Sequence, residues 1–451
     1  MEKMKLVSLF SGAGGLDAGF VSAGDYKPIL ANDILNIALD TYNNNFHPHL
    51  VIPGSIEKLD FSLIRNEEVD VFIGGPPCQD FSVLRGSNQR KGTEVKRGRL
   101  YSHFVRGLIH VQPKIFVFEN VPGLISANEG KAHEVISNDF ENLKISWEDV
   151  KKSVGNYTNL TNSFGYKIMH NDIIDFKKIG LPQIRRRLII IGLRKDLVDN
   201  INDAELSRLQ AKLSSFLHGT GKLFEKFPLT PIEVFEGKPL DHLDDEYKNI
   251  MREYDDIWSE VKTEKAYNWK KKTWDKLTFD IEKDYIEFNN IKSKKNFKKA
   301  MEEHEILLKE LKYYDKSLRN MKFEDNSDEI QSEAKTTSER MRRIPPWENH
   351  EFVRGTEWEV KGLMSNIYRR IHPLFPSPTV IAYGGGGTWG YHYERTRGKL
   401  TNRERARLQT FSDDFLFSGG VSEIRAQIGE AVPPLAGKRI AQEVKSILHK
   451  I

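Results

Sequence analysis

The chain has one cysteine, Cys78, in 451 residues. A single thiol excludes an internal disulfide and any zinc site built from several cysteines, so no metal site is expected and whatever Cys78 does it does alone. No stretch approaches the roughly 18 apolar residues of a membrane-spanning helix, which sets no membrane partner as the expectation. An excess of one charge is missing too. Lys and Arg number 68 against 64 Asp and Glu, a formal +4, with a pI near 8.7. A polyanion could bind such a chain only where basic and acidic residues are sorted in space. The start, MEKMKLVSLFSGAGG, enters patterned structure without the apolar core of a secretory signal, so a soluble cytoplasmic protein is expected. No internal repeat and no low-complexity tract stands out.

What is present is an alternation of short apolar runs and helical stretches. Lys5 to Phe10 ends in Ser11-Gly12-Ala13-Gly14-Gly15 and is followed by a helix from Leu16 to Ala23. Pro28 to Asn32 ends at Asp33, Val69 to Ile73 at Gly74-Gly75, and Ile115 to Phe118 at Glu119, while Leu188 to Leu193 is a further apolar strand. Strands alternating with helices predict an α/β fold with a mostly parallel, doubly wound sheet over residues 1–195, with ligands at the carboxyl ends of the strands. From 196 to about 360 the texture changes to charged helical stretches, such as Asp244 to Met321, with Trp258, Trp269, Trp274, Phe288 and Leu307 among lysines and glutamates. These read as solvated helices with an apolar seam, or else as a surface that tracks a nucleic acid or binds a partner. Arg342 to Trp347 reads as a basic linker, Thr379 to Tyr383 as a strand before four glycines, and Thr401 with Glu404 as a capping box. Glu423 to Leu448 reads as a helix interrupted near Pro433-Pro434, and the expected divisions are 1–195, 196–385 and 386–451.

Several residues have the chemistry of a site. The Ser11 to Gly15 turn lets a ligand approach the backbone near a helix N-terminus, and it reads equally as a tight strand-to-helix turn. Asp33 stands where such folds hold ribose hydroxyls with an acid, or where a helix needs a cap. Gly74-Gly75-Pro76-Pro77-Cys78-Gln79-Asp80-Phe81-Ser82 puts the thiol on a proline-braced loop after a strand, a poor place for an inert core cysteine. Glu119 ends another strand. Gln183-Ile184-Arg185-Arg186-Arg187 precedes a further strand, and alternation predicts Arg185 and Arg187 on one face, able to grip a base oxygen or a phosphate, or standing as a basic strand edge.

In their order, Phe10-Ser11-Gly12-Ala13-Gly14-Gly15, Gly75-Pro76-Pro77-Cys78-Gln79, Glu119-Asn120-Val121, Gln183-x-Arg185-x-Arg187, Arg403-Glu404 through Phe411 and Gly429-x-Ala431-Val432-Pro433-Pro434 resemble the DNA cytosine-5 methyltransferases, notably the type II modification enzymes of bacterial restriction systems. The resemblance covers about 5–195 and 365–449. It implies a Rossmann-like S-adenosylmethionine-dependent methyltransferase sheet with a second, smaller target-recognition domain. It further implies transfer of methyl from S-adenosylmethionine to C5 of a flipped cytosine in double-stranded DNA, leaving S-adenosylhomocysteine. Cys78 matches the nucleophile, needed because C5 is unreactive until a thiolate adds at C6. Glu119 matches the partner of N3, and Arg185 with Arg187 the pair steadying the loop and the cytosine oxygen.

Phe10, Gly12, Gly14, Gly15, Asp33, Ile34, Ser55, Ile56, Pro77, Leu100 and Glu430 match cofactor positions. Two of these depart from the pattern, since Ser55 replaces a common aspartate and Glu430 the usual asparagine. Gln79, Ser82, Gln183 and the glycines Gly384, Gly385 and Gly386 match DNA-facing positions. The resemblance also implies a nucleoid-associated monomer with a possible cognate restriction endonuclease acting on the same site. Two alternatives stand beside this reading. A tRNA cytosine-5 methyltransferase would be revealed by activity on tRNA but not DNA, and a silent DNA-binding regulator by a gel shift without methylation.

Overall fold

The computed structural model describes residues 2–77, 100–143, 163–199, 201–360, 367–383 and 390–451. By internal packing the chain divides into two units, Met1–Phe176 with Arg186–Thr220 and Val432–Ile451, and Lys177–Arg185 with Gly221–Ala431. The divisions fall at 220 and 431, against 195 and 385 from the change in composition, and the second unit is nearly as long as the first.

The first unit is built on a seven-stranded sheet. Its strands are β1 (Met4–Leu9), β2 (Tyr26–Asp33), β3 (Leu50–Pro53), β4 (Val71–Gly74), β5 (Ile115–Asn120), β6 (Tyr166–Asp175) and β7 (Arg186–Arg194), in the order β3-β2-β1-β4-β5-β7-β6. β1 to β5 are parallel, and β7 runs antiparallel to both β5 and β6. All four residues of β4 are buried, as an apolar run covered on both faces requires. Helices α1 (Gly15–Ser22), α2 (Asn36–Phe46), α3 (Leu100–Val111), α4 (Lys131–Asn142) and α5 (Asp203–Leu217) belong to this unit. An aromatic chain links sheet and helices: Phe104 of α3 meets Phe72, Phe116 and Phe118 at 5.1, 6.0 and 5.4 Å.

The proline pair breaks the C-terminal segment into Val421–Glu430 and Pro434–Leu448, as expected of residues that cannot continue a helix. The last helix lies backbone to backbone on α1. A Cβ on Gly19 would come within 2.4 Å of Pro434 O, and one on Gly437 within 2.6 Å of Leu16 O. The Tyr26 hydroxyl donates to Ala441 O at 2.7 Å, so the chain's end is fixed beside its start.

The second unit is helical and irregular. Its helices include Pro231–Glu236, Asp244–Arg252, Glu264–Lys272, Ile281–Phe288, Phe297–Glu310, Lys335–Met341 and Asn402–Leu408. The last starts with the expected capping box, the Thr401 hydroxyl accepting from Glu404 N and the Glu404 carboxylate from Thr401 N. The apolar seam is real: Tyr254, Ile257, Val261, Ala266, Trp269, Met341, Ile344, Phe352, Val353 and Tyr391 form one buried cluster. Ile344 belongs to it and Pro345 and Pro346 are buried beside it, so the stretch read as a basic linker is anchored at its centre, while Arg342 and Trp347 at its ends are exposed. The strand expected at Thr379–Tyr383 does not form. Its backbone turns to a side chain instead, Val380 N donating to Gln183 Oε1 at 3.1 Å, just after Ser377 N donates to Pro182 O at 2.9 Å.

Candidate active site

The carboxyl ends of β1, β2, β4 and β5 carry the candidate residues of the first unit. After β1 the chain takes left-handed backbone at Phe10, Gly12 and Gly14, with φ of 53°, 52° and 86°. A Cβ at Gly14 would sit 2.3 Å from the Phe46 ring, so only glycine fits. At Gly12 nothing lies within 4 Å of an added Cβ, which leaves open space above half-buried backbone. Asp33, at the end of β2, holds this turn and the backbone just before the next helix at once. Its carboxylate accepts from Gly12 N at 2.8 Å and Leu35 N at 3.0 Å, and burial raises its pKa. The expected helix cap is not formed, because the bond goes to the N–H of Leu35, the residue before the helix, and not to an N–H within it; Asp33 stands at the carboxyl end of β2, beside the turn after β1.

Ile34 and Leu35 follow it with 68% and 42% of their surface exposed, apolar side chains that a bound ligand would cover. Ser55 caps the turn Ile56–Lys58, accepting from Glu57 N at 3.3 Å. Ile56 is buried, and Arg106 of α3 fixes its carbonyl at 2.7 Å and that of Leu59 at 3.0 Å. Leu100 and Phe10 are partly buried against the same core. Gly15 is buried at the start of α1, and Pro77 is exposed.

Beside these, Glu119 and Arg187 form an ion pair, Arg187 Nε to Glu119 Oε1 at 2.9 Å, with side chains 17% and 12% exposed for Arg187 and Glu119. The sheet explains the pairing. Glu119 lies opposite Ile189 across the antiparallel β5–β7 ladder, and Arg187, two positions along, shares the face of Ile189. Arg187 Nη1 also donates to Arg186 O at 2.8 Å. Gly75 lets the backbone pass close to this pair, because a Cβ there would lie 2.8 Å from Glu119 Oε2. Asn120 ties the same segment down, its amide donating to Pro76 O at 3.1 Å. Asn120, Gly75 and Arg106 are site residues to which the sequence alone assigned no role; the only signal for the first two was their place inside the motifs quoted above. Cys78, Gln79 and Ser82 lie outside the described residues, as do Gly384, Gly385 and Gly386; Pro77, the residue before Cys78, is described.

Arg185 and Gln183 are placed in the second unit. The alternation expected to align Arg185 with Arg187 stops at Arg186, the first residue of β7. Arg185 is 1% exposed, and its guanidinium donates to Val380 O at 3.3 Å, Gly429 O at 3.2 Å and Ala431 O at 2.8 Å. Gln183, also buried, donates to Leu408 O at 2.7 Å and Gln409 Oε1 at 2.8 Å. Arg185 thus braces the loops around 380 and 430, and Gln183 ties Val380 to the end of the Asn402–Leu408 helix, whereas the resemblance implies a hold on the active-site loop and the cytosine oxygen for Arg185 and a DNA-facing place for Gln183. Glu430 is exposed at the end of Val421–Glu430. Among the described residues no cluster of metal-ligating side chains occurs.

The profile of a family described as C-5 cytosine-specific DNA methylase matches residues 4–446. A DNA (cytosine-5-)-methyltransferase of Aeropyrum pernix, M.ApeKI, is 53% identical, the alignment spanning 100% of both chains. The type II methyltransferase M.NgoFVII of Neisseria gonorrhoeae is 32% identical, with 99% of this chain and 87% of that protein covered. A solved structure of a prophage-encoded protein of E. coli, assigned as a DNA modification methyltransferase, aligns with a TM-score of 0.56 and 22% identity over 99% of this chain and 100% of that one, which shows a common fold.

Proposed function

The chain belongs to the C-5 cytosine-specific DNA methylases, and from that premise we propose that it methylates cytosine through a covalent bond between Cys78 and C6 of the base. The overall reaction is transfer of a methyl group from S-adenosylmethionine to C5 of cytosine in DNA, on the methyltransferase fold of this family. The observation that carries the covalent proposal is the Glu119–Arg187 pair, held against Gly75 three residues before the only thiol of the chain.

The residues present fit the cofactor. Open space over Gly12, a carboxylate at the end of β2 and exposed apolar side chains at Ile34 and Leu35 suit a ligand with a backbone-hugging polar part, hydroxyls and a flat apolar face. Asp33 would hold the ribose, Ile34 and Ile56 the adenine, and the Phe10–Gly15 turn the amino-acid end. Bound there, S-adenosylmethionine supplies an electrophilic methyl group. The chain's own residues do the rest. Cytosine must leave the stack before a thiolate reaches C6. Cys78 adds to C6, and Glu119 shares a proton with N3, so the electron pair of the C5–C6 bond becomes available at C5. Arg187 holds the Glu119 carboxylate in place and balances its charge. Once C5 carries the methyl group, the C5 proton leaves to a base or water, the C5–C6 double bond re-forms and the thiolate departs. Arg185 and Gln183 act at one remove, by fixing the loops they bond.

The helical unit is the proposed target-recognition part, and the type II names of relatives support a restriction endonuclease with the same site as the biological counterpart. The test of the covalent step uses duplex DNA carrying 5-fluorocytosine, whose fluorine cannot leave as a proton does. With cofactor present, intact protein is expected to form an adduct that survives denaturing electrophoresis, and Cys78→Ala none. An equally stable adduct with Cys78→Ala would remove Cys78 from the mechanism.

A further inference from the structure

In the helical unit one turn is charged with a single sign. Residues 289–300 read Asn-Asn-Ile-Lys-Ser-Lys-Lys-Asn-Phe-Lys-Lys-Ala, so Lys292, Lys294, Lys295, Lys298 and Lys299 stand together with no acid among them. All five are exposed. The turn alone carries more positive charge than the whole chain's net +4. It is also fixed. Ile291 and Phe297 anchor its two ends in the interior, the Phe297 ring lying 6.3 Å from Phe227 and 6.2 Å from Tyr285. Phe297 N donates to Lys294 O at 2.8 Å, closing the backbone between them.

The fold does not neutralise these lysines. Only Lys294 has an acid in range, Glu282 at 3.8 Å, and among the described residues Lys292, Lys295, Lys298 and Lys299 have no ion-pair partner. Lys298 and Lys299 occupy the first turn of Phe297–Glu310, which has no acid there, and so face the positive end of the helix dipole. Glu302 and Glu303 follow at i+4, but a lysine N-terminal to its glutamate is the weaker order. Glu303 is used elsewhere, accepting from Leu223 N at 3.1 Å. In the same unit Asp244–Lys248 and Glu305–Lys309 have the favourable order and are paired. Four unpaired lysines close together, two of them set against a helix dipole, are an electrostatic cost that an external polyanion would offset.

We propose that Lys292, Lys295, Lys298 and Lys299 dock the phosphate backbone of duplex DNA. The inference rests on the chain's activity on DNA and on charge complementarity. Lysines are point charges that suit phosphates, so the docking adds affinity and holding time without sequence information.

The experiment replaces the four lysines with glutamine in the full chain and measures binding to a mixed-sequence duplex across a salt series. Each neutralised phosphate contributes about 0.9 to the slope of log affinity against log salt, so if the variant leaves two phosphates unneutralised, the affinity of the intact protein should fall roughly tenfold further than the variant's between about 50 and 200 mM. The corresponding lysine-to-arginine variant should keep the intact slope, and the methylated motif should be the same in all three proteins. Independently, acetylation of these lysines in the intact protein should be suppressed by the duplex. Equal slopes for intact and glutamine proteins, or acetylation unchanged by DNA, would overturn the proposal. Absence of methylation by the intact protein would instead count against the functional reading itself.

Discussion

Replacing Glu119 with Gln separates the chemistry of this residue from its structural part. Glutamine has nearly the same shape, so it fits beside Gly75 and still offers an oxygen to Arg187 Nε, now 2.9 Å from Glu119 Oε1. What is lost in the fold is the charge on one side of a mostly buried pair. A charge-assisted bond exceeds a neutral one by about 1–2 kcal/mol, which a domain with about 5–15 kcal/mol of stability withstands. What is lost in the reaction is the ability to move a proton at N3. Positioned proton transfer contributes about 10²–10⁴-fold, or roughly 3–5 kcal/mol of barrier. The expected result is therefore a large fall in single-turnover methyl transfer from tritiated cofactor, with a melting temperature lowered by only a few degrees and DNA binding retained. Transfer within a few-fold of the intact protein would refute the role given to Glu119. A collapse of the fold would show that the charge is structural first.

The two glycines of the first turn should respond differently to alanine. Gly14→Ala drives a methyl into Phe46 and should destabilise the protein, whereas Gly12→Ala meets no protein atom and should cost only about 1–2 kcal/mol of backbone strain while cutting S-adenosylmethionine affinity by calorimetry. Equal cofactor affinity in Gly12→Ala would place the ligand elsewhere. Arg185→Ala strips a donor from the buried carbonyls of Val380 and Gly429, each worth about 1–3 kcal/mol when left unsatisfied, while Ala431 O keeps Gln409 Nε2 at 3.3 Å, so the urea midpoint should drop sharply. A midpoint like that of the intact protein would deny Arg185 its bracing role.

His304 gives a pH signature. Burial alone would lower its pKa, but the Glu233 carboxylate 2.7 Å from Nδ1 and the Phe227 carbonyl 2.9 Å from Nε2 outweigh it, and the net shift is upward. A histidine raised in the folded state gives stability that is complete below its unfolded pKa of about 6.5 and fades as pH rises through the folded value. The loss of stability in His304→Gln should therefore be greater near pH 6 than near pH 9. A penalty that grows with pH would contradict a charged His304.

Local signals carried most of the first unit. Strand ends at Leu9, Asp33, Gly74 and Asn120 follow apolar runs into glycine or acid, and the Thr401–Glu404 box and Pro433-Pro434 mark helix ends directly. The direction of β7 was not legible, since a strand buried on both faces reads the same either way. β6 was missed because its ten residues mix Lys167, His170, Asn171 and Asp172 with the apolar ones. Thr379–Tyr383 has strand-like residues, yet the Gln183 side chain, nearly 200 positions away, takes the Val380 N–H. The same distance hid the bracing roles of Gln183 and Arg185. Glu119 and Arg187 were legible as chemistry but not as an ion pair, which depends on the β5–β7 register.

The central claim is that this chain deposits 5-methylcytosine in DNA through Cys78. Methylation-sensitive sequencing of DNA from cells making the intact protein, beside cells making Cys78→Ala, tests it most directly. The expected outcome is methylation at C5 within one short motif in the first sample alone. Methylation in both samples would contradict the role of Cys78, and methylation in neither would contradict the DNA reaction itself.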